Sequence, residues 1–198
     1  MKRYITLLSI GLCLAVPMLS QANDIKPLMH VTNVHNGQYD AALDAITDTK
    51  FYGPYQFRVL KDAIETQGET KDIDGRVFRT SDGVFMHVKA RSIDNDSPSL
   101  DKEVKQIIKD RTIPEPTVKM VLPIKDDVIE VNNDGVRSLL AEFMYGWPLK
   151  NRTDMVLVTD YEDTRYYYNL QFYRDKLPEG IRIEQLRQMI MDAQFSYK

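Results

Sequence analysis

Cysteine is almost absent from these 198 residues, and the single copy, Cys13, sits close to the start. With no second thiol there can be no intrachain disulfide and no multi-thiolate metal centre, so the fold must be held by its core. Glycine numbers only nine, several of them in Asp-Gly or Asn-Gly pairs that read as turns. Neither a Gly-x-x-x-x-Gly-Lys loop nor a Gly-x-Gly-x-x-Gly turn occurs, which removes the usual backbone cradles for phosphate. Gly-x-Ser-x-Gly, Ser-x-x-Lys and His-Glu-x-x-His are missing too, so no standard nucleophile or zinc-protease motif is present. A basic excess is also lacking: 26 Lys and Arg face 29 Asp and Glu, a net charge of −3, which argues against a general nucleic-acid binder. What remains is 43% hydrophobic and 28% charged, the balance of an ordinary globular chain.

The first segment reads as an export signal. Lys2 and Arg3 precede an apolar run from Ile5 to Val16, Pro17 breaks it, and Ser20-Gln21-Ala22 offers small residues two apart. The run is shorter than the roughly 20 apolar residues a permanent anchor needs, and no second one follows. Cleavage after Ala22 leaves a single domain over residues 23–198 with no integral membrane segment. It also removes Lys2, Arg3 and Cys13, taking the net charge from −3 to −5. Leu12 before Cys13 argues against lipid attachment.

Along the remaining chain, the spacing of Tyr39, Ala42, Leu43 and Ile46 predicts an amphipathic helix, and Phe57, Leu60 and Ile64 predict a second one after Gly53-Pro54. Residues 76–79 and 84–91 alternate as a hairpin about Ser81-Asp82-Gly83, with Phe85, His87 and Lys89 outward. Ser99 is placed to cap a helix whose buried stripe is Leu100, Val104, Ile107 and Ile108, ended by Pro114 and Pro116. Two strands, 117–124 and 127–131, are expected to join across Lys125-Asp126. After Asn133-Asp134-Gly135, the run Val136, Leu139, Leu140, Phe143, Met144 and Trp147 predicts a helix. A second hairpin, 155–159 with 165–174, turns at Asp160-Tyr161-Glu162-Asp163, and a last helix carries Ile183, Leu186, Ile190 and Ala193 inward up to Phe195. Hairpins and helices segregated in this way indicate an α+β fold with a mainly antiparallel sheet on which the helices pack. Residues 54–92 and 134–174 share the order helix then hairpin, a weak pseudo-symmetry.

Few residues offer chemistry. His30 and His35 are five apart, about 140° around a helix and on opposite faces of a strand, so neither geometry lets them share a metal. His87 reads as a surface histidine. Asp94, Asp96, Asp101 and Glu103 depart from the EF-hand pattern, since Pro98 and Ser99 stand where that loop needs a ligand and a glycine. A solvated loop capping a helix accounts for them better. Asp160, Glu162 and Asp163 read as an exposed acidic turn. No metal and no cofactor is expected.

The aromatic strand is the strongest lead. Tyr166, Tyr168, Leu170 and Phe172 fall on one face, the core. Arg165, Tyr167, Asn169, Gln171 and Tyr173 fall on the other, and tyrosine, arginine and amides on a sheet face have the composition of a recognition surface. The competing reading is that a helix covers this face as well, or that tyrosine simply suits strands.

A helix ending near Trp147, then Lys150-Asn151-Arg152, a hairpin, Leu177-Pro178-Glu179-Gly180-Ile181 and a closing helix make the C-terminal half similar to YbjN-type proteins, which resemble type III secretion chaperones in fold. The resemblance implies a non-enzymatic binding or regulatory module. The function expected is therefore an exported, periplasmic or secreted chaperone, regulator or inhibitor whose partner is another polypeptide of the envelope. Two alternatives stand beside it: a small envelope hydrolase using Asp160 or Glu162 with Arg165 on glycan or cell-wall substrate, and a component of a secretion or surface apparatus. Intact-mass measurement of the exported protein is expected to give a chain beginning at Asn23; recovery from the envelope of a chain still beginning at Met1 would refute the cleavage.

Overall fold

A computed structural model describes residues 25–32, 41–66, 75–111, 123, 125–146, 149 and 151–196. The export signal, Asn36-Gly37, His35 and the Pro114/Pro116 boundary lie outside them. The described chain is mixed α+β, as expected. In order it runs β1 (Met29–Thr32), α1 (Ala41–Ile46), β2 (Thr47–Tyr52), β3 (Tyr55–Leu60), β4 (Ile64–Thr66), β5 (Arg76–Arg79), β6 (Phe85–Ser92), α2 (Leu100–Lys109), β7 (Lys125–Asn133), β8 (Val136–Met144), β9 (Arg152–Tyr161), β10 (Thr164–Tyr173), α3 (Ile183–Met191) and β11 (Gln194–Phe195).

Eight strands form one sheet in the order β1-β7-β8-β9-β10-β6-β5-β4, antiparallel except where β1 runs parallel to β7. The other three form a small sheet in the order β11-β3-β2. On the inner face of the large sheet, Met86, Val88, Leu140, Leu157, Tyr168 and Phe172 share a core with Tyr55, Phe57 and Val59 of β3 and with Leu186, Met189 and Ile190 of α3. On the outer face, Leu139, Ala141, Phe143, Val156, Val158 and Tyr167 pack beneath Leu100 and Val104 of α2. Both faces of the central strands are thus covered.

That double burial explains the main departure from sequence expectation. Residues 136–144 are a strand, not a helix: Leu139, Ala141 and Phe143 enter one core while Leu140 enters the other. A strand that is apolar on both sides shows no alternation, and its run then matches helical spacing by coincidence. Asn133-Asp134-Gly135 is part of a hairpin turn, with Asp134 at φ +51° and Gly135 at φ +82°, the left-handed pair a tight two-residue turn requires. The element that the YbjN-type resemblance read as a helix ending near Trp147 is this strand.

A second departure lies at Phe57, Leu60 and Ile64, which sit on β3 and β4. Tyr55, Phe57 and Val59 alternate into the core, and Gly53-Pro54 is a hairpin turn with Gly53 at φ +61°. Arg58 and Leu60 are also buried, which broke the alternation. With both expected helices replaced by strands, the pseudo-symmetry between 54–92 and 134–174 disappears. Lys125-Asp126 begins β7 instead of forming a turn, and the strand expected at 117–124 lies outside the described residues apart from residue 123. The closing helix stops at Met191, and Phe195 pairs with Tyr55.

Polar side chains clip the layers together. Arg58, buried in the small sheet, donates to Asp192 just beyond α3, to Asp44 of α1 (2.6 Å) and to Thr47 (3.0 Å). Asn133 donates to the carbonyls of Met191 (2.7 Å) and Ala193 (3.1 Å), tying the β7–β8 turn to the end of α3. Arg187 of α3 makes a two-pronged bond to Glu142 of β8 at 2.8 and 2.9 Å. Gly75 packs so close to β6 that a Cβ there would lie 2.1 Å from the Val88 carbonyl oxygen, a position only glycine fills.

Two buried tyrosines in this core differ in one bond. Tyr168 donates to the Arg58 carbonyl at 2.5 Å, whereas the buried Tyr55 hydroxyl, near the Thr159 side chain, makes no hydrogen bond of normal geometry among the described residues. In urea unfolding, Tyr168→Phe is expected to lose about 1–2 kcal/mol and Tyr55→Phe to be neutral or slightly stabilising. Equal losses would show that the Tyr55 hydroxyl is satisfied.

Candidate functional site

The expected recognition face is the outer face of β10, and the cross-strand register fixes its neighbours. Lys89, Tyr167 and Val158 form one row across β6, β10 and β9; His87, Asn169 and Val156 form the next; Phe85, Gln171 and Asp154 form the third. The row before these holds Arg91, Arg165 and Asp160.

Helix α2 lies over one end of this face, and its placement follows from its sequence. Ser99 caps it, its hydroxyl accepting from the Lys102 amide at 3.5 Å, and Leu100 and Val104 point down onto β8 and β9. Arg165 and Tyr167 lie beneath it, 1% and 5% exposed. These two residues are therefore not part of a free surface; they anchor the helix. Arg165 makes a two-pronged bond to Asp160 at 2.6 and 2.7 Å, donates to the Pro98 carbonyl at 2.8 Å and reaches Glu103 of α2 at 3.3 Å. Tyr167 donates to the other Glu103 oxygen at 2.7 Å. The bond to Asp160 raises the Arg165 pKa above its ordinary value; burial, then the bond to Glu103, does the same for the Tyr167 phenol.

The acidic residues weighed as catalytic or cation-binding groups are engaged in these and similar contacts. Asp160 is held by Arg165, and Glu162 stands on the tip of the β9–β10 turn at φ +51°. Glu103 serves Arg91, Arg165 and Tyr167, and Asp101 takes two bonds from Arg137 at 2.8 and 3.1 Å. Asp94 accepts from Ser97 and from the Asp96 amide in a closed loop before the helix. The 160–163 turn joins β9 to β10 at the hairpin tip, and its Asp160 is already taken by Arg165, so it is not free to serve as one of the two carboxylates a glycosidase needs. His30 sits on β1 with its imidazole 3.3 Å from Glu130, remote in the strand order from His87 on β6.

Beyond the end of α2 no described element covers the outer face, and here the described residues form a concavity. A cavity of about 250 Å³ is lined by His87, Lys89, Asn169, Gln171, Asp154 and Arg111, the last placed just after α2. It shares Phe85 and Gln171 with an adjoining cavity of about 400 Å³ that extends to Arg79 and the 80–83 turn. Asp154 is buried and bound by Arg152 at 2.6 Å through both carboxylate oxygens and by Arg111 at 3.2 Å. Its charge is answered on the spot. Lys89 and Arg111 bring positive charge, and Asn169 and Gln171 bring amides that both donate and accept. Tyr173 sits one row further, half-buried, its ring 5.9 Å from the Lys176 ammonium.

Of the five residues expected on the recognition face, then, Asn169 and Gln171 line the concavity, Tyr173 lies beyond it, and Arg165 and Tyr167 lie under α2. Lys89 and His87 were legible as outward residues of their strand, but joining them to Asn169 and Gln171 needs the β6–β10 register. Arg111 carried no sequence signal.

No family model matches the chain, and no curated protein matches it. Among solved structures, the chain is similar to cyanobacterial PsbP (CyanoP) from Synechocystis sp. PCC 6803, determined in solution, with 17% identity and a TM-score of 0.51 over 77% of this chain and 94% of that one. At this identity the likeness is one of fold. Among the described residues no helix is long and apolar enough to cross a membrane.

Asp160→Asn leaves the Arg165 guanidinium buried with only Glu103 and a carbonyl to answer it, and is expected to cost about 2–3 kcal/mol. The loss should show as hydrogen-exchange protection lowered across Leu100–Lys109. Unchanged protection there would mean that α2 is held by its apolar contacts alone.

Proposed function

We propose that this chain is an exported, non-enzymatic protein-binding module, a chaperone, regulator or inhibitor of an envelope or secreted protein, and that it holds its partner on the part of the outer sheet face that no described element covers. The observation that carries the reading is the concavity itself. Beside the covered central strands, it gathers amides, cations and an aromatic edge, the elements from which recognition surfaces are built. Its one carboxylate, Asp154, is bound by two arginines and so is employed as an ion-pair partner rather than poised as an acid or base. The hairpin, the Leu177–Ile181 turn and the closing helix, which the YbjN-type resemblance also rests on, support a chaperone-like role. The leader at residues 1–22 supports export, and the PsbP-like fold supplies a scaffold without dictating a reaction.

The test is recovery of the tagged mature protein from native envelope extract, with mass spectrometry of what accompanies it. One stoichiometric partner is expected, with Gln171→Ala and Tyr173→Ala each weakening its binding by about 1–2 kcal/mol while unfolding stays unchanged. A partner that binds both variants as tightly as the parent would move the interface off this face.

A further inference from the structure

The chemistry of the concavity points to the class of segment it holds. The two joined cavities carry Arg79 at one end and Lys89 with Arg111 at the other, with Phe85 and Gln171 between them. Among the described residues the only carboxylate in their lining, Asp154, is already engaged by Arg152 and Arg111. Lys89 has no carboxylate partner among the described residues; its ammonium rests 5.2 Å from the Tyr167 ring. This is a local cationic excess on a chain whose net charge is −3. Each cation also stands beside an aromatic ring: Arg79 lies 5.3 Å from Phe85 and Arg111 lies 5.0 Å from Phe143, which fixes their heads near the surface.

Size and polarity narrow the ligand further. About 250 Å³ falls below the range of sites that take whole drug-sized ligands, and suits a single side chain. The adjoining 400 Å³ leaves room for the residues next to it. Helix α2 presents its C-terminal end here, where carbonyls concentrate negative partial charge, and Arg111 follows it directly. Phosphate sites use the opposite end of a helix, with its free N–H groups. A singly charged group with oxygen acceptors matches this mixed field better than a dianion does.

We propose, resting on the reading of this face as the partner-binding site, that the groove seats an acidic extended polypeptide segment. One carboxylate side chain lies between Lys89 and Arg111, the backbone passes Asn169 and Gln171, and a second acidic residue meets Arg79. Phe85 takes the apolar side chain between them.

The test is an NMR titration of the isotope-labelled mature chain with a capped tetrapeptide of alternating Glu and Leu, its counterpart with Gln for Glu, and inorganic phosphate at matched ionic strength. The Glu peptide is expected to shift the signals of His87, Asn169 and Gln171, and the Gln peptide to bind at least tenfold more weakly. Lys89→Gln should weaken the Glu peptide roughly tenfold and Lys89→Arg should restore most of it, with salt lowering affinity throughout. Lys89 carries the test because Arg111 also contacts Asp154. Equal binding of the two peptides would overturn the carboxylate assignment and leave the polypeptide reading intact. Phosphate binding as tightly as the Glu peptide would make this a general anion site and overturn the proposal. If neither peptide moves these signals while a recovered partner still depends on Gln171, the inference alone falls; if no partner depends on Gln171 either, both fall.

Discussion

Burial of the central strands on both faces is the constraint from which the architecture follows. β8, β9 and β10 carry apolar side chains upward and downward, so one covering layer does not suffice. The small sheet and α3 close one side, and α2 closes part of the other. Each buried aliphatic or aromatic side chain contributes on the order of 1.5–3 kcal/mol, enough for the two cores to dictate where every helix sits. Helix α2, at ten residues, is too short to cover the whole outer face. Among the described residues, the stretch it leaves open is that of β6 and β10 whose outward residues are polar, so the candidate site is the remainder of a packing problem.

Within that frame, arginine does the fastening. Arg165 joins β9 and β10 to the start of α2, Arg58 joins the small sheet to α1 and to the end of α3, and Arg187 joins α3 to β8. The planar guanidinium suits this work because it offers several donors in fixed directions and keeps its charge when buried. Such pairs contribute less net stability than their number implies, since each ion loses its water. Their effect is on position: removing one partner strands a charge, so each clip accepts only one arrangement of the layers.

Legibility in the sequence followed the same line. Where a strand has one face with polar side chains, as in β6 or the 169–173 half of β10, alternation revealed both its existence and its sides. Where a helix carries one apolar stripe between a Ser cap and a break, as in α2, its limits were legible too. Leu139, Leu140 and Phe143 defeated the reading because Leu139 and Phe143 enter the outer core and Leu140 the inner one, so apolar residues fall on both sides of the strand. At β3 the buried Arg58, neutralised by residues 14 and 134 positions away, looked like a polar surface residue. The surroundings of β10 were legible only in part for a related reason. Alternation tells which side of β10 Arg165 and Tyr167 occupy, but only tertiary structure brings Glu103 across them, and only register brings Lys89 and His87 beside Asn169.

The strand order also sets a timetable. β1 waits for β7, β6 waits for β10, and β3 waits for β11, whose residues are nearly the last of the described chain. Long-range pairings of this kind close slowly and only after their distant partners exist. A chain made from its N-terminus therefore cannot complete the inner core until residue 195 has been made. Until then the local hairpins, β2 with β3 and β5 with β6, can form without the cores that bury them, and the pairing of Phe195 with Tyr55 is among the last contacts the small sheet gains.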